Sequence, residues 1–551
     1  MSATATASQL VNVQINGKWL EFPKGTKVIE ACRQAGSFIP HYCYHPKLST
    51  PGNCRMCLIE MGMPKMTPDR KPELGEDGKP LINWIPRPQI SCAQDVAEGM
   101  AVKTDSPMVE ECRQGVMEFL LINHPLDCPI CDQAGECRLQ EFSVEYGNAG
   151  SRFRETKVTK PKNVEIGPRI RLDDERCILC SRCIRFMKEV AQDDVLGFVN
   201  RGSQSVLTCH PGRNLDSNYS LNTVDICPVG ALTSNDFRFK MRVWFLKETK
   251  SICTSCSTGC NTLIGSRENT IYRQTPRDNS EVNDCWMCDY GRLNYGYLHD
   301  KNRFVKPHLN AEVLAKLSPG APKGWATSIN QTIDLFNPLA GSQIAILASA
   351  KMTNEELFLT KKLADALGTE LIEVVPHMSE GDDILLSADR NPNVAGAKLL
   401  GLTKEPGARL ASMAEGIRTG KIKGLLVLHE DAGQALGLSA AELKTLSALV
   451  CVDILPNSTT EVAHVVLPGS GFAEKRGSMI NRKQRLQRLG RAISAPGEAR
   501  DDWEILRDLI LAKSGSNGLH SVEDVFKQMA SEVSAFQGLT LTRIGDQGVQ
   551  L

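Results

Sequence analysis

The sequence has little of what marks a nucleic-acid-binding, membrane-spanning or nucleotide-binding protein. Its 64 basic residues balance 64 acidic ones, so its formal net charge of zero gives no reason to expect binding to nucleic acid or to an anionic membrane surface. No apolar run approaches the roughly 18 residues that predict a membrane-spanning helix. Neither a GxGxxG nor a GxxxxGK(S/T) motif occurs, and we therefore expect no nucleotide or flavin site in this chain.

The N-terminal residues 1–9 are small and polar. They show neither the apolar core of a signal peptide nor an arginine-rich transit pattern. We therefore expect a soluble, cytoplasmic protein, which can still dock on a membrane complex.

Cysteine is scarce in the second half of the chain and abundant in the first. Of the 20 cysteines, only Cys451 follows residue 289. Cytoplasmic cysteines stay reduced, so metal ligation is favoured over disulfides. The 551 residues are enough for three or four domains of roughly 100–200 residues each. The pattern predicts a metal-rich first half and an ordinary second half.

The clearest motif is a cysteine triple with two-residue gaps, followed at a distance by a cysteine that precedes proline. Such spacing wraps a cubane iron–sulfur cluster, because one loop supplies three thiolates and a distant residue supplies the fourth. We predict a [4Fe–4S] site here. Its ligands, called the third set, are Cys177, Cys180, Cys183 and Cys227.

The N-terminal segment follows the order of a β-grasp ferredoxin. Alternating apolar residues around Asn16-Gly17 predict a hairpin over 11–22, and Thr26 is expected to cap a short helix. A cysteine loop and a strand over 58–61 come next, and residues 64–88 are expected to form an extended surface loop. We predict a [2Fe–2S] site, because two irons need four thiolates. Its ligands, the first set, are Cys43, Cys54, Cys57 and Cys92.

Another group, which lies between the first and third sets in the sequence, contains only three cysteines and needs another donor. Ser106-Pro107 predicts the start of a helix that ends before Pro125. Its expected apolar stripe is Val109, Cys112, Val116, Phe119 and Leu120. A histidine before proline is more often a loop or core residue, but the missing fourth cysteine favours His124 as a ligand, and a neutral imidazole should raise the cluster potential. The second set of predicted [4Fe–4S] ligands is His124, Cys128, Cys131 and Cys137.

A fourth group follows a predicted short strand over 243–247 and contains one cysteine too many. We prefer Cys288 to Cys285, because Gly291 and Arg292 follow it in a turn suited to closing over a cluster. Each CxxC pair alone could be half a zinc site, but triples with a distant fourth residue favour iron–sulfur clusters. The fourth set of predicted [4Fe–4S] ligands is Cys253, Cys256, Cys260 and Cys288.

The remaining cysteines and the second half are read more simply. Cys32, Cys112 and Cys451 are expected in apolar cores, and Cys209 and Cys285 stay unassigned. Strand-like runs that alternate with helical patterns predict a parallel α/β sheet. The predicted strands cover 343–348, 371–375, 424–428 and 449–455, and the predicted helix covers 355–367. Connectors are predicted over 315–326 and 390–410. The last forty residues are weakly patterned.

The first three sets, in this order, resemble the large iron–sulfur subunit of respiratory complex I, the NADH–quinone oxidoreductase family. The likeness covers roughly residues 10–300. The fourth set is similar to an extra [4Fe–4S] site of some bacterial members, which favours a bacterial source. The second half is similar to molybdopterin oxidoreductases but is short, and we expect no molybdopterin. That likeness lies in Thr353, Asn354, Glu355, Glu356, Leu467, Pro468, Glu474, Gly477, Asn481, Arg485 and Gln487.

The resemblance implies a role in electron transfer. Electrons would leave a flavin on a partner flavoprotein subunit after NADH oxidation and pass along the clusters toward quinone, with the first set as a side or exit station and the fourth set off the main route. The chain itself would hold no NADH, flavin or quinone site and no catalytic residue. A ferredoxin-like subunit would be a second partner, and the chain would lie peripherally on the cytoplasmic side of the bacterial inner membrane. An alternative is the iron–sulfur or molybdopterin subunit of an NAD-linked formate dehydrogenase or hydrogenase.

The expected fold is multidomain α+β and α/β. The expected domains are a β-grasp [2Fe–2S] ferredoxin domain over 9–100, a His(Cys)3-ligated [4Fe–4S] domain over 101–141, a [4Fe–4S] ferredoxin-like domain over 142–242, a [4Fe–4S] domain of molybdopterin-oxidoreductase type over 246–302, and a shortened molybdopterin-oxidoreductase-like α/β domain over 303–551.

Overall fold

The computed structural model describes residues 9–76, 78–317, 323–515 and 518–551. Almost all of the N-terminal segment 1–9, residue 77 of the predicted surface loop, and residues 318–322 of the predicted connector lie outside these ranges. The chain divides into two compact units, Met1–Trp244 and Phe245–Leu551, which are described separately below. Within the described residues, no helix is both long enough and apolar enough to cross a membrane.

The first unit contains short strands and helices, with long loops that carry the cysteines. Its elements are β1 Leu10–Ile15, β2 Lys18–Pro23, α1 Val28–Gln34, β3 Leu58–Pro64, β4 Ile82–Trp84, β5 Gln89–Ile90, β6 Ala101–Lys103, α2 Pro107–Ile122, α3 Arg138–Tyr146, β7 Val164–Gly167, β8 Ile170–Leu172, α4 Arg182–Glu189, β9 Leu196–Val199, β10 Val206–Cys209, α5 Asn222–Ile226 and β11 Leu232–Ser234.

The N-terminal β-grasp order is confirmed. Strands β1 and β2 pair antiparallel across Asn16-Gly17, both with positive φ as a type I′ turn requires. The sheet order is β2-β1-β6-β3-β4, with β5 paired to β3, and α1 packs its buried Val28 and Ile29 into the same core. The predicted strand is β3, and the surface loop over 64–88 contains β4. The first-set loop therefore connects α1 to the sheet.

The predicted cap of α1 is wrong. The helix begins after Lys27, which has no side-chain capping bond, while the Thr26 hydroxyl donates to the Pro23 carbonyl at 2.7 Å. Thr26 therefore closes the turn that leaves the hairpin, one residue too early to cap the helix.

Helix α2 has the predicted ends and part of the predicted face. The Ser106 hydroxyl accepts from the Val109 N–H, Pro107 opens the helix, and Asn123 ends it. The buried residues are Val109, Arg113 and Met117, whereas Phe119 is 78% exposed. The predicted stripe is therefore wrong at Phe119, while Val116 and Leu120 are partly buried and pack against the neighbouring apolar core.

The rest of the first unit consists of two small sheets around the third-set loop. Strands β7, β8 and β11 form one sheet in the order β11-β8-β7, and β9 pairs antiparallel with β10. Helices α4 and α5 contact each other, and they carry the arginine-rich segment after Cys180 and the segment before Cys227.

The second unit combines a small antiparallel sheet with a larger α/β sheet. Its elements are β12 Lys247–Ile252, β13 Asn261–Arg267, β14 Thr270–Pro276, α6 Asp289–Leu293, β15 His308–Leu309, α7 Ala311–Lys316, α8 Trp325–Phe336, β16 Ile344–Ser349, α9 Asn354–Leu367, β17 Ile372–Val375, α10 Val394–Leu399, α11 Leu410–Arg418, β18 Gly424–Leu428, α12 Ala432–Leu436, α13 Ala440–Leu443, β19 Ala448–Asp453, β20 Val465–Pro468, β21 Gly477–Ile480, β22 Arg485–Leu489, α14 Asp502–Ser514, α15 Val522–Glu532 and β23 Val549–Gln550.

The parallel α/β sheet is confirmed. Its order is β15-β20-β19-β18-β16-β17, and every pairing except β15 with β20 is parallel. Helix α9 starts with a capping box between Thr353 and Glu356 and ends at Gly368, whose φ of 71° suits a left-handed cap. The mixed α+β and α/β fold class is thus the one that the sequence predicts.

Several local predictions in the second unit are wrong. Residues Val243–Phe245 form a 3-10 helix, and the strand starts only at Lys247. The two predicted connectors contain helix: 315–326 includes the end of α7 and the start of α8, and 390–410 includes α10. The weakly patterned C-terminus contains α15, whose Val525 and Phe526 are buried in the core of the α/β part.

Candidate metal centres

The structure brings the four cysteines of the first set together. The Cys43 thiol donates a hydrogen bond to Cys54 Sγ, and this hydrogen bond is the main cause that lowers the pKa of Cys54. The pKa of Cys92 is raised, first by its hydrogen bond to Cys57 and then by burial and by the neighbouring thiols of Cys57, Cys43 and Cys54. The four sulfur atoms therefore share one site between α1 and the sheet.

The loop of the first set depends on Gly52. Its φ is 64°, a backbone conformation that side chains rarely adopt, and a β-carbon there would lie 2.8 Å from Ile90 Cδ1. Across the site, the Ser91 hydroxyl donates to the Cys57 carbonyl at 2.8 Å. These contacts fix the direction in which the loop presents Cys54 and Cys57.

The four cysteines of the third set are also neighbours. Burial raises the pKa of Cys183 well above its usual value, and the thiols of Cys180, Cys177 and Cys227 raise it further. Within the loop, Leu179 and Ser181 have φ values of 55° and 61°, so the chain turns sharply between the cysteines. The Leu179 N–H donates to Cys177 Sγ at 3.4 Å. The loop thus directs the thiols of the third set and one backbone N–H group toward the same centre.

In the second set, the three cysteines are neighbours, and His124 lines a different cavity. The pKa of Cys137 is raised to about 11, chiefly by burial and further by Cys131 and Cys128. Cys128 and Cys137 line an open cavity of about 680 Å³ with Trp244. The structure thus places three of the four predicted ligands at one site.

His124 lines a different cavity, of about 160 Å³, together with Cys177 of the third set. Burial lowers the pKa of His124 to about 4, although the Asp127 carboxylate opposes this effect. The imidazole is therefore neutral at pH 7, which is the form that binds metals. Its ligation of the second set stays a prediction.

The fourth set converges on Gly291 at the start of α6. A β-carbon on Gly291 would lie 2.9 Å from Cys253 Sγ and 3.3 Å from Cys288 Sγ, and the Gly291 N–H donates to Cys288 Sγ at 3.3 Å. Burial raises the pKa of Cys260 well above its usual value, and Cys253, Cys256 and Cys288 add to this effect. The sulfur atoms beside Gly291 belong to Cys253 and Cys288, while Cys285 is half-buried.

One apolar cluster joins the three sets of the first unit. The phenol of Tyr42 is fully buried, donates to Met117 Sδ at 3.2 Å, and has its pKa raised by burial and by the thiols of Cys137 and Cys54. We call this group the shared core. It contains Tyr42, Met56, Met117, Cys137, Leu139, Phe142, Val229 and Ala231, with Cys54, Cys177, Cys180 and Cys227 packed against it.

A second link between the sets is Gly230, three residues after Cys227. A β-carbon on Gly230 would lie 2.4 Å from Cys131 Sγ, so the third-set segment passes directly over a second-set thiol. Sequence reasoning missed Tyr42, Gly230 and Arg182, a guanidinium beside Cys183 that contacts the first-set loop. Only the position of Arg182 inside the cysteine motif could have drawn attention to it.

The donor sets fit iron–sulfur clusters. In the described ranges, no three or more His, Cys, Asp or Glu side chains are placed so that they could hold a single metal ion. Each set nevertheless groups soft thiol donors, and in the third and fourth sets a backbone N–H bonds to sulfur. Glycines leave room beside the sulfur atoms of the second and fourth sets, where a β-carbon would collide.

The remaining cysteines occupy different surroundings. Cys32 and Cys451 are buried in apolar cores, as predicted, and burial raises the pKa of Cys32 to about 12. Cys112 is only half-buried and lies outside the core clusters of the described chain, so its prediction as a core residue is wrong. Cys209 is half-buried, and its thiol donates to the Ile166 carbonyl at 3.5 Å.

Residues that carry the likeness to molybdopterin oxidoreductases hold the fourth-set loop. The side-chain amides of Asn481 and Gln487 donate to the carbonyls of Thr258 and Gly259 at 3.1 and 2.9 Å. Glu355 accepts from both the N–H and the hydroxyl of Ser478, at 2.9 and 2.8 Å. Their contacts are structural: they fix the cysteine loop and anchor α9 to strand β21.

Five family profiles match the chain, and together they cover more than half of it. In chain order they are the 2Fe-2S iron-sulfur cluster binding domain over 8–107, the NADH-ubiquinone oxidoreductase-G iron-sulfur binding region over 113–152, the ferredoxin-like domain of NADH-quinone oxidoreductase subunit 3 over 167–233, the molybdopterin oxidoreductase Fe4S4 domain over 246–300, and molybdopterin oxidoreductase over 389–512.

Curated relatives agree with these profiles. The G subunit of the NADH-quinone oxidoreductase of Rickettsia felis is 39% identical over 360 residues, which cover 65% of this chain and 50% of the relative. NADH-quinone oxidoreductase subunit 3 of Thermus thermophilus is 38% identical over 374 residues, with 65% and 47% covered. The chain thus spans about half the length of these relatives.

A third relative aligns over nearly its whole length. The NADH-ubiquinone oxidoreductase 75 kDa subunit of Reclinomonas americana is 29% identical over 657 aligned positions, which cover 95% of this chain and 91% of the relative. Its alignment is longer than the 551-residue chain, so the relative carries insertions. With the order of the four cysteine sets, these matches show that the chain is similar to the large iron–sulfur subunit of NADH–quinone oxidoreductases.

Proposed function

We propose that this chain is the electron-transfer subunit of an NADH:quinone oxidoreductase and relays electrons from the flavin of a partner subunit toward quinone. The observation that carries the proposal is the shared core, which packs cysteines of three successive sets against one apolar wall. The NADH, flavin and quinone sites would lie on other subunits, and this chain would make or break no bond in a substrate.

The proposed cofactors are one [2Fe–2S] cluster on the first set and three [4Fe–4S] clusters on the second, third and fourth sets, without molybdopterin. When bound, such clusters exchange single electrons without bond rearrangement. The described residues contribute the thiol donors, the N–H groups that point at sulfur, and the burial that controls the dielectric around each site. His124 would complete the second set.

The shared core supports the relay. The Tyr42 phenol lies within electrostatic range of Cys54 of the first set and Cys137 of the second set. Its ring packs edge-on against Phe142, with 5.4 Å between the ring centres. Such side chains exclude water from the space between the sets, and a dry environment limits the reorganisation that accompanies each change of charge. We therefore place the first three sets next to one another in the relay.

The proposed partners are the flavin-bearing subunit and a ferredoxin-like subunit of the same complex. No nucleic-acid partner is proposed, since the chain carries no net charge. We place the chain at the cytoplasmic face of a bacterial inner membrane, where it would be held only through the other subunits of the complex.

The test is metal analysis of the chain itself, isolated from its complex without oxygen. We expect about 14 iron atoms per chain, little zinc, and no stoichiometric molybdenum or pterin. Cys183→Ser should remove about four of these iron atoms and abolish NADH:quinone activity, whereas the matched Cys112→Ser should keep both. A folded, active preparation without iron, or with stoichiometric pterin, would overturn the proposal.

A further inference from the structure

Two arginines on α4 join the loops of the first and third sets. They are Arg182 and Arg185, here called the arginine pair. Arg182 donates from one guanidinium nitrogen to the Tyr44 carbonyl and from the other to the Ile226 carbonyl at 3.2 Å. Tyr44 follows the first-set ligand Cys43, and Ile226 precedes the third-set ligand Cys227. One side chain thus ties together the backbone beside two predicted ligands that are far apart in sequence.

Arg185 adds bonds to the same loop. Its guanidinium donates to the Cys43 carbonyl at 2.5 Å and to the Ser49 carbonyl, and its Nε donates to the Ser181 hydroxyl at 3.3 Å. Both arginines therefore extend from the third-set motif to the chain around Cys43. Rigid guanidinium groups suit this task, because their planar donors hold two carbonyls in a fixed geometry.

The surroundings of Arg182 contain sulfur in place of carboxylate. Among the described residues, Arg182 makes no ion pair with Asp or Glu, and its Nε is buried without a hydrogen-bond acceptor. Among side chains, the thiols of Cys180, Cys227 and Cys43 act most strongly on its charge, followed by Arg185, and His41 and His45 also lie within electrostatic range. A buried cation without an anionic partner is costly, so the arrangement fits a site where thiolate sulfur carries the negative charge.

We propose that the arginine pair holds the first-set loop against the third-set loop and makes both clusters easier to reduce through its positive charge. The inference rests on the proposed function, because it concerns clusters that these sets would bind. An added electron is stabilised by a nearby fixed cation, and the stabilisation is strong where water is excluded. Removal of the charge must therefore lower the potential at both sites.

The experiment is a redox titration of the complex, followed by EPR, with Arg182→Gln, Arg182→Lys and Arg185→Gln. The third-set signal is identified by its absence in Cys183→Ser. We expect Arg182→Gln to change the reduction equilibrium roughly tenfold toward the oxidised form at both sites, a shift of about 59 mV for one electron. Arg182→Lys keeps the charge and should keep most of the potential. The control is Arg169→Gln, which removes a guanidinium bonded to the Asp216 and Ser217 carbonyls.

The outcomes separate the two proposals. If the unaltered chain shows no cluster signals, the proposed function fails before any variant is considered. If signals are present but Arg182→Gln changes the two cluster potentials no more than the control Arg169→Gln does, the inference is overturned. It is also overturned if Arg182→Lys shifts them as much as Arg182→Gln. Should Arg182→Gln fail to assemble, Arg185→Gln decides, since it must lower the first-set potential, and an unchanged value refutes the charge effect.

Discussion

The buried ion cluster of the second unit supports a prediction that does not depend on any cofactor. Lys475 is 3% exposed at its side chain and lies 2.9 Å from a Glu356 oxygen and 2.6 Å from an Asp502 oxygen. His429 contacts the other Asp502 oxygen at 2.9 Å. The substitution Lys475→Met keeps the length of the side chain and removes its charge, which leaves Glu356 without its cationic partner and Asp502 with only the imidazole of His429 beside it.

The expected cost follows from the burial of these charges. Breaking a buried ion pair by removing one partner costs about 3–5 kcal/mol, because an uncompensated charge stays behind. A unit of roughly 300 residues has an unfolding entropy of about 0.65 kcal/mol per kelvin at its midpoint. The midpoint of the second unit should therefore fall by about 5–8 °C, as measured by calorimetry of the full chain.

The matched control is Lys362→Met. Lys362 pairs with Glu532 at 2.6 Å, but both side chains are more than 30% exposed. Exposed pairs are worth about 0–1 kcal/mol, so this variant should shift the midpoint by less than about 2 °C. Equal shifts for the two variants would refute the claim that the buried cluster stabilises this unit.

Three further predictions concern single sites. Burial raises the pKa of Glu355 from 4.5 to about 7, so the stabilisation that its protonated form contributes to the folded state is complete below pH 4.5 and is lost as the pH rises through 7. Glu355→Gln should therefore remove about 3 kcal/mol from the change in the free energy of unfolding between these pH values. Urea titrations that show the same change with pH in the variant and in the unaltered chain would contradict this. His124→Cys should keep a [4Fe–4S] cluster but lower its potential, since a thiolate adds negative charge, and unchanged EPR spectra would exclude His124 as a ligand. Gly291→Ala should lose the fourth cluster, because its β-carbon would lie 2.9 Å from Cys253 Sγ, while Gly296→Ala, with nothing within 4 Å, should keep it; equal iron contents of the two variants would contradict this.

Features that depend on a few neighbouring residues could be predicted from the sequence. The Asn16-Gly17 turn, the Ser106 cap of α2 and the Gly368 cap of α9 are fixed by local backbone chemistry, and the structure contains all three. The spacing of cysteines likewise predicts which thiols share a site. The parallel sheet follows from buried strands that alternate with helices, such as β18.

Features decided by tertiary packing could not be predicted. Arg113 is buried in α2, where its guanidinium lies 5.5 Å from the centre of the Tyr146 ring, so a pattern that assigns arginine to the surface misses this part of the helix face. His124 is close to Cys128 in sequence, but the loop between them turns at Leu126, which has a positive φ. Nothing local indicates that Arg182 contacts Tyr44, 138 residues away in sequence.

The shared core couples the fates of sites that look independent in sequence. Met56 and Val229 belong to segments of different cysteine sets, yet they touch the same group of side chains. A change in the volume of either side chain would disturb more than one of the predicted cluster sites. Incomplete insertion of the proposed cluster at a neighbouring site would have the same effect. A substitution on one cysteine loop of this unit is therefore expected to need a compensating change on another loop that touches the same side chains.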